Sequence, residues 1–256
     1  MAAARTLDLN GDVGEGVGDD AQLIPLLTSA NVACGAHAGD EQSMRAAVRC
    51  AVAAGVAVGA HPGHADRAQF GRVERPLAPA ELAALLETQF ARLATLAKAE
   101  GASVRHVKLH GALYHQVARD EALAAACVAT IARLQRALHM VGPAGSALER
   151  ACVAARVPFV REVFADRAYQ RDGTLVPRGR AGALIEDEAQ AVAQVRSMVE
   201  RGVAPTLDGG EVAVRAETLC LHGDSPHALA FARRLRRELA ACGVVLAAPR
   251  REGEPR

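Results

Sequence analysis

Short apolar or β-branched runs alternate along the chain with longer stretches in which apolar residues recur every three or four positions. That alternation is the pattern of β-α units wound around a mainly parallel sheet. Strands are expected near 6–9, 30–33, 56–60, 104–109, 139–142, 157–160 and 218–221, with a further run at 244–247. Asp40 can cap a helix whose Met44, Ala47, Val48, Ala51 and Val52 share one face before Gly55 stops it. Pro79 suits a first helical turn, after which Leu82, Leu85, Leu86, Phe90, Leu93 and Leu96 form a stripe ending at Gly101. Asp120 can cap a third helix, with Leu123, Val128, Ile131, Leu134 and Leu138 inward, and a fourth runs from about 187 to Gly202. The last begins at Ser225-Pro226, buries Ala228, Phe231, Ala232, Leu235 and Leu239, and turns Arg233, Arg234, Arg236 and Arg237 to solvent. No linker rich in Pro, Gly or Ser divides the chain. One domain over residues 1–248 is therefore expected, with 249–256 as a flexible C-terminal tail.

Composition removes several function classes. A net charge of +1 gives no general attraction to nucleic acid or an anionic membrane. Aromatic residues make up 3% of the chain and Trp is absent, leaving few platforms for stacking bases. The segment "MAAARTLDLNGD" lacks an apolar signal region, and no run approaches the roughly 18 apolar residues that span a membrane. A cytoplasmic protein with no nucleic-acid or membrane partner is expected. The six cysteines include no C-x-x-C pair, which argues against a zinc knuckle or disulfide framework. They read as small buried apolar residues, although Cys34 and Cys220 sit beside the histidine motifs.

Those motifs carry the chemistry. Four strand-like runs finish with a histidine and, within two residues, a glycine: "CGAHAGD", "VGAHPG", "VKLHG" and "CLHGD". In a barrel of β-α units every strand delivers its C-terminal end to one face. On that map Asp8, Asn10, Asp12, Glu15, Asn31, His37, Asp40, His61, Lys108, His110, Glu162, Asp166, His222 and Asp224 would converge. Each has a bland reading when taken singly. A histidine at a strand end is more often a satisfied loop residue, and "DLNGDVGE" can be a hydrogen-bonded turn. Four histidines at equivalent positions reverse those odds, and Lys108 inside an apolar strand is costly unless paired or used. His106 alternates with Lys108 and points the same way, whereas His139 and His227 read as structural or exposed. The set fits either metal-assisted hydrolysis with Asp and His ligands, or acid–base catalysis with Lys108 opposite developing negative charge. No H-E-x-x-H pair favours the first. "VGPAGSAL" is a weak match to a phosphate site at a helix N-terminus and is not a P-loop.

As a set, "DLNGDVGEG", "SANVACGAHAGD", "GVAVGAHPG" with "DRAQFGR", "RHVKLHGALYH", "REVFADRAYQRDGTLVPR" and "CLHGDSPHALAFARRLRREL" resemble the LamB/YcsF family over almost the whole chain. The resemblance implies an α/β fold, a single irregular seven-stranded TIM-like β/α barrel of the glycoside hydrolase/deacetylase type. It also implies a hydrolase role as the A subunit of ATP-dependent 5-oxoprolinase, which cleaves 5-oxo-L-proline to L-glutamate while ATP becomes ADP and phosphate. The B and C subunits of 5-oxoprolinase are then partners, and ATP is a cofactor as its Mg complex; whether the protein binds a metal of its own stays open. Carried onto this chain, the implied catalytic residues are Asp12, Lys108, His110, His61 and His222. Asp8, Asn10, Glu15, His37, Asp40, Tyr114, Glu162, Asp166, Arg167, Arg178 and Asp224 are implied to bind substrate or phosphate. Within that set Asp12 or His110 is expected to assist proton transfer, Lys108 to face the lactam oxyanion or a phosphate, and Arg167 or Arg178 to clamp the substrate carboxylate. The chain departs from the family pattern at Leu109, His115 and His64, and the two extra imidazoles are expected to alter the pH dependence of the pocket. The alternatives are a stand-alone metal-dependent deacetylase or amidohydrolase, and a non-catalytic substrate-binding subunit.

Overall fold

The computed structural model describes residues 5–135, 137–221 and 228–250. Among these the strands are β1 (Arg5–Val13), β2 (Ser29–Ala33), β3 (Ala57–His61), β4 (His106–Lys108), β5 (His139–Pro143), β6 (Phe159–Phe164), β7 (Val203–Pro205), β8 (Glu211–Ala213), β9 (Thr218–Leu221) and β10 (Val244–Leu246). Seven of them close in parallel into a barrel in the order β1-β2-β3-β4-β5-β6-β9 and back to β1. The fold is the irregular seven-stranded TIM-like barrel that the family resemblance implies. β1 is the seam. Its first residues pair with β10, Arg5 opposite Val244 and Leu7 opposite Leu246, and its next residues pair with β9, Asp8 opposite Thr218 and Gly11 opposite Leu221.

Around the barrel lie α1 (Asp20–Leu23), α2 (Glu41–Ala54), α3 (Pro79–Ala99), α4 (Gly111–Arg119), α5 (Glu121–Leu134), α6 (Ala147–Ala155), α7 (Glu188–Arg201) and α8 (Ala228–Ala241). Asp40, Asp120 and Asp187 cap α2, α5 and α7 by accepting from backbone N–H groups in the first turns. The expected faces hold with local exceptions. Val52 is 44% exposed on α2, and Leu138 lies past the end of α5, buried at the approach to β5. Phe231 is only partly buried. The arginine face of α8 is not wholly solvated, since Arg236 Nη1 donates to Leu26 O at 2.7 Å and Arg234 lies 3.5 Å from Glu188. Ser225 and Pro226, the Ala228 side chain and residues 251–256 lie outside the described residues.

Because side chains alternate along a strand, β1 turns Leu7, Leu9 and Val13 toward the helices and Asp8, Asn10 and Asp12 into the barrel. The interior is consequently polar. At its lower end the Asp8 carboxylate accepts from Thr28 Oγ1 (2.6 Å), Ser29 Oγ (2.7 Å) and Thr218 Oγ1 (2.5 Å). One level up, Asn31 Nδ2 donates to Asn10 Oδ1 at 2.7 Å, and His106 Nε2 meets Asn31 Oδ1 at 2.7 Å.

Gly59 stands beside His106 on the neighbouring strand, and a Cβ there would come within 2.0 Å of His106 Nε2. We expect Gly59→Ala to displace the imidazole, break its bond to Asn31 and destabilise the chain by about 1–3 kcal/mol. Urea denaturation would check this; an unchanged midpoint would mean that the ring has room to move.

Candidate active site

Above Asn10 and Asn31 the barrel opens into a cavity of about 950 Å³. Asp12, at the end of β1, and Lys108, at the end of β4, meet on its floor. Lys108 Nζ lies 3.0 Å from Asp12 Oδ1, 2.9 Å from Glu162 Oε1, 3.2 Å from Asn10 Oδ1 and 3.0 Å from Cys220 Sγ. Asn10 Nδ2 also donates to Glu162 Oε1 at 3.1 Å, and Asn31 Nδ2 to Asp12 Oδ1 at 2.8 Å. Burial alone would drive the ammonium toward its neutral form. The charges of Asp12 and Glu162, with the Cys220 sulfur, outweigh that and raise its pKa well above 10.5. The same burial raises the Cys220 thiol well above its ordinary value against the pull of Lys108, so the thiol stays protonated.

A second cluster adjoins the first. His61, ending β3, places Nε2 3.2 Å from Asp12 Oδ2, while its Nδ1 donates to the Lys108 carbonyl at 2.8 Å. His110, at the start of α4, directs Nδ1 to His61 Nε2 at 3.0 Å and donates from Nε2 to Phe70 O at 2.8 Å. His37 stacks flat on His110, with ring centroids 3.8 Å apart, and its Nε2 reaches Glu15 Oε1 at 3.3 Å. Burial, then the neighbouring positive groups, hold His37 at a pKa of about 3 and His110 at about 2, so both are neutral. Their contacts with Glu15 are therefore not ion pairs. His61 differs: burial opposes its charge, but Asp12, by charge and hydrogen bond, outweighs burial and raises its pKa.

The loop after β3 holds this arrangement. Phe70 takes a left-handed backbone, φ 53°, unusual for a bulky residue, and aims its carbonyl at His110. At the adjoining Gly71, φ 62°, a Cβ would come within 2.9 Å of His37 Cβ, so only glycine leaves space for the stacked pair.

Of the candidates from the sequence, Asp12, Glu15, His61, Lys108, His110, Tyr114, Glu162, Arg167 and Arg178 line the cavity. Asn10 lies just beneath it, bonded to the floor, and His37 lies behind His110. Asp8 is two residues lower, in the hydroxyl cage of the barrel base, and is outside the cavity lining. Asp40 is exposed and occupied by its capping box with Ser43. Asp166 is not among the lining residues. His222, Asp224 and His227 fall outside the described residues.

Sequence reasoning undervalued Cys220 and omitted Thr218, although both follow from alternation in "TLCL", whose other residues face the helices. It also omitted the arginines Arg72, Arg119, Arg150 and Arg215 on the cavity wall, which no local motif marks. The two extra imidazoles sit in different surroundings. His64 is buried with Nε2 3.0 Å from Gln116 Oε1. His115 lines the cavity, where enclosure and then the charges of Arg167 and Arg178 lower its pKa to about 4, away from neutrality. Leu109 is fully buried in the core.

Residues 7–253 match the LamB/YcsF family. A protein of Methylococcus capsulatus, named as the A subunit of 5-oxoprolinase, is 53% identical over 250 residues, 96% of each chain. A crystal structure described as a lactam utilization protein from Thermus thermophilus superposes with a TM-score of 0.89 at 42% identity, covering 95% of this chain and 100% of that one. The catalytic domain of a peptidoglycan N-acetylglucosamine deacetylase from Eubacterium rectale is similar in fold alone, with a TM-score of 0.51 and 10% identity over 99% of this chain and 95% of that one.

Proposed function

The chain belongs to the LamB/YcsF family, and from that premise we propose that it is the A subunit of a 5-oxoprolinase, a hydrolase that opens the lactam of 5-oxo-L-proline to L-glutamate. The observation that carries this reading is the near-complete coverage, at 53% identity, of a relative bearing that name. ATP, hydrolysed to ADP and phosphate, and the partner B and C subunits are part of the proposal. Among the described residues no helix is long and apolar enough to cross a membrane, and a cytoplasmic location is likewise proposed.

The geometry supports a division of labour. A five-membered lactam is a stable amide, so its opening needs a polarised carbonyl, an activated water and a protonated leaving nitrogen. Lys108, kept charged by two carboxylates, presents positive charge at the cavity floor where the lactam oxygen or a phosphoryl oxygen would develop negative charge. His110 Nε2 gives its hydrogen to Phe70 O, and its Nδ1 is turned to His61 Nε2 at 3.0 Å rather than to the open cavity. That favours Asp12, paired with His61, as the group that takes a proton from water. Arg178 is exposed at the cavity wall, whereas Arg167 is buried and donates to Val176 O at 2.7 Å. Arg178 is therefore the better placed of the two to bind the substrate carboxylate as a fork.

The test is glutamate and ADP release from 5-oxoproline and ATP, measured with this chain alone, with the B and C subunits alone, and with all three. Product from the full mixture only is the expected result. No product from an assembled complex would remove the substrate assignment. Hydrolysis of simple acetamides by this chain without ATP would favour the amidohydrolase reading instead.

A further inference from the structure

The backbone dictates where hydrogens sit in the His–Glu cluster. A carbonyl oxygen only accepts, so His61 Nδ1 carries the hydrogen given to Lys108 O and His110 Nε2 carries the one given to Phe70 O. In their neutral forms, His61 Nε2 and His110 Nδ1 are then bare lone pairs, yet they face each other at 3.0 Å. Glu15 Oε1 adds a third electron-rich atom, 3.4 Å from His110 Nδ1 and 3.3 Å from His37 Nε2. Among the described residues, no partner of His37 Nδ1 dictates which of its nitrogens holds the hydrogen. The ligand atoms of these four residues all lie within 4.8 Å of one another. Such a convergence of acceptors calls for a positive centre among them.

We propose that Glu15, His37, His61 and His110 form a binding site for one first-row divalent cation. Metal–ligand bonds of about 2.0–2.1 Å in a tetrahedron separate neighbouring ligand atoms by roughly 3.3 Å. The contacts of 3.0, 3.3 and 3.4 Å in the cluster match that spacing, the remaining pairs of ligand atoms lie within 4.8 Å, and the flat stack of His37 on His110 would have to open for both rings to face one cation. Three imidazoles and one carboxylate form a nitrogen-rich set suited to zinc, cobalt, iron or nickel rather than to magnesium or calcium, which prefer all-oxygen shells. The supporting shell is built as well, because the carbonyls of Lys108 and Phe70 orient two of the rings and fix their tautomers. The strained Phe70 backbone gives that second carbonyl its direction. The cation would take the place of the contact between His61 Nε2 and Asp12 Oδ2. This site stands on its own geometry and does not depend on the reaction proposed above.

The test uses the full chain, stripped with chelator and dialysed separately against zinc, cobalt(II), iron(II) and manganese(II), with bound metal counted by mass spectrometry. The expected result is about one equivalent of zinc or cobalt per chain, with cobalt giving the visible d–d bands of a four-coordinate site. Glu15→Gln and His110→Ala should each cut uptake at least tenfold while circular dichroism shows a folded chain, and His115→Gln, an imidazole outside the cluster, should leave it unchanged. Should either cluster variant unfold, His37→Gln on the stacked ring is the second probe. A folded wild-type chain that takes up less than a tenth of an equivalent of every metal would overturn the site. So would uptake that survives in a folded His61→Gln, His110→Gln double variant. Since uptake is read without partner subunits or substrate, its failure and a failure of glutamate release are separate results.

Discussion

Lys108→Met is expected to lower glutamate release by the reconstituted complex at least ~10³-fold, the scale seen when a group opposite a developing oxyanion is lost. The same change should also weaken the fold. Lys108 is the ammonium shared by Asp12 and Glu162, at 3.0 and 2.9 Å on a floor where Glu162 is fully buried. Removing one partner of such a pair and leaving the other charge in place costs about 3–5 kcal/mol. Loss of turnover by itself would thus be ambiguous. The double variant Lys108→Met, Glu162→Gln separates the effects, because it removes one stranded carboxylate along with the ammonium. Its denaturation midpoint should recover toward the wild type while glutamate release stays absent. Turnover retained by either variant would take Lys108 out of the chemistry and leave it a purely structural charge.

The metal-free chain should lose stability steeply in mild acid. His37, His106 and His110 are buried with pKa values of about 3, 3 and 2, in each case through burial first and neighbouring positive groups second. In the unfolded chain they titrate at the ordinary value of 6.5. Below that value the unfolded state binds protons that the folded state refuses, so stability falls as pH falls from 6.5 toward 3. Each group contributes up to about 1.4 kcal/mol per pH unit. Three together remove about 7 kcal/mol between pH 6.5 and 4.5, because the slope reaches its full value only below the unfolded pKa, and that is comparable with the whole stability of a typical domain. His61 acts on the other side. Its pKa is raised, so its stabilising charge is fully present below 6.5 and is lost as pH rises through the folded value. A stability maximum above pH 6.5 follows. Thermal midpoints measured from pH 4.5 to 8.5 in chelator would show it, and His106→Asn should remove about a third of the acid slope. A flat profile below pH 6.5 would mean that these rings are solvated and charged in the native protein.

Much of this architecture is readable from alternation and caps. "DLNGDV" places Asp8, Asn10 and Asp12 on one face because a strand repeats every two residues, and Asp40, Asp120 and Gly55 mark helix ends by familiar chemistry. The gaps have physical causes. The β7–β8 hairpin is three residues a side with a proline in it, too short to show a period. α4 begins on Gly111, with two residues between it and the end of β4, where the "HGALYH" motif hides its helical spacing. Asp40 carries two plausible roles, and only its bond from Ser43 N shows that the helix cap occupies it. The site itself is a set of distant meetings, Lys108 with Cys220 112 residues away and Asn10 with Glu162 152 residues away, which no local pattern encodes. The forced tautomers of His61 and His110 depend on two carbonyls from other segments and are invisible until the chain is folded.

β1 has a consequence for how such a chain can change over generations. Asp8, Asn10 and Asp12 sit at three depths of the barrel on one strand, and the same residues set the register with β9 and β2. Point changes can test each depth separately. The gain or loss of one residue upstream within the strand would instead turn all three outward at once and bring Leu7 and Leu9 into the polar interior. β1 is therefore open to substitution and closed to insertion and deletion, a strand whose length is inherited as a single character.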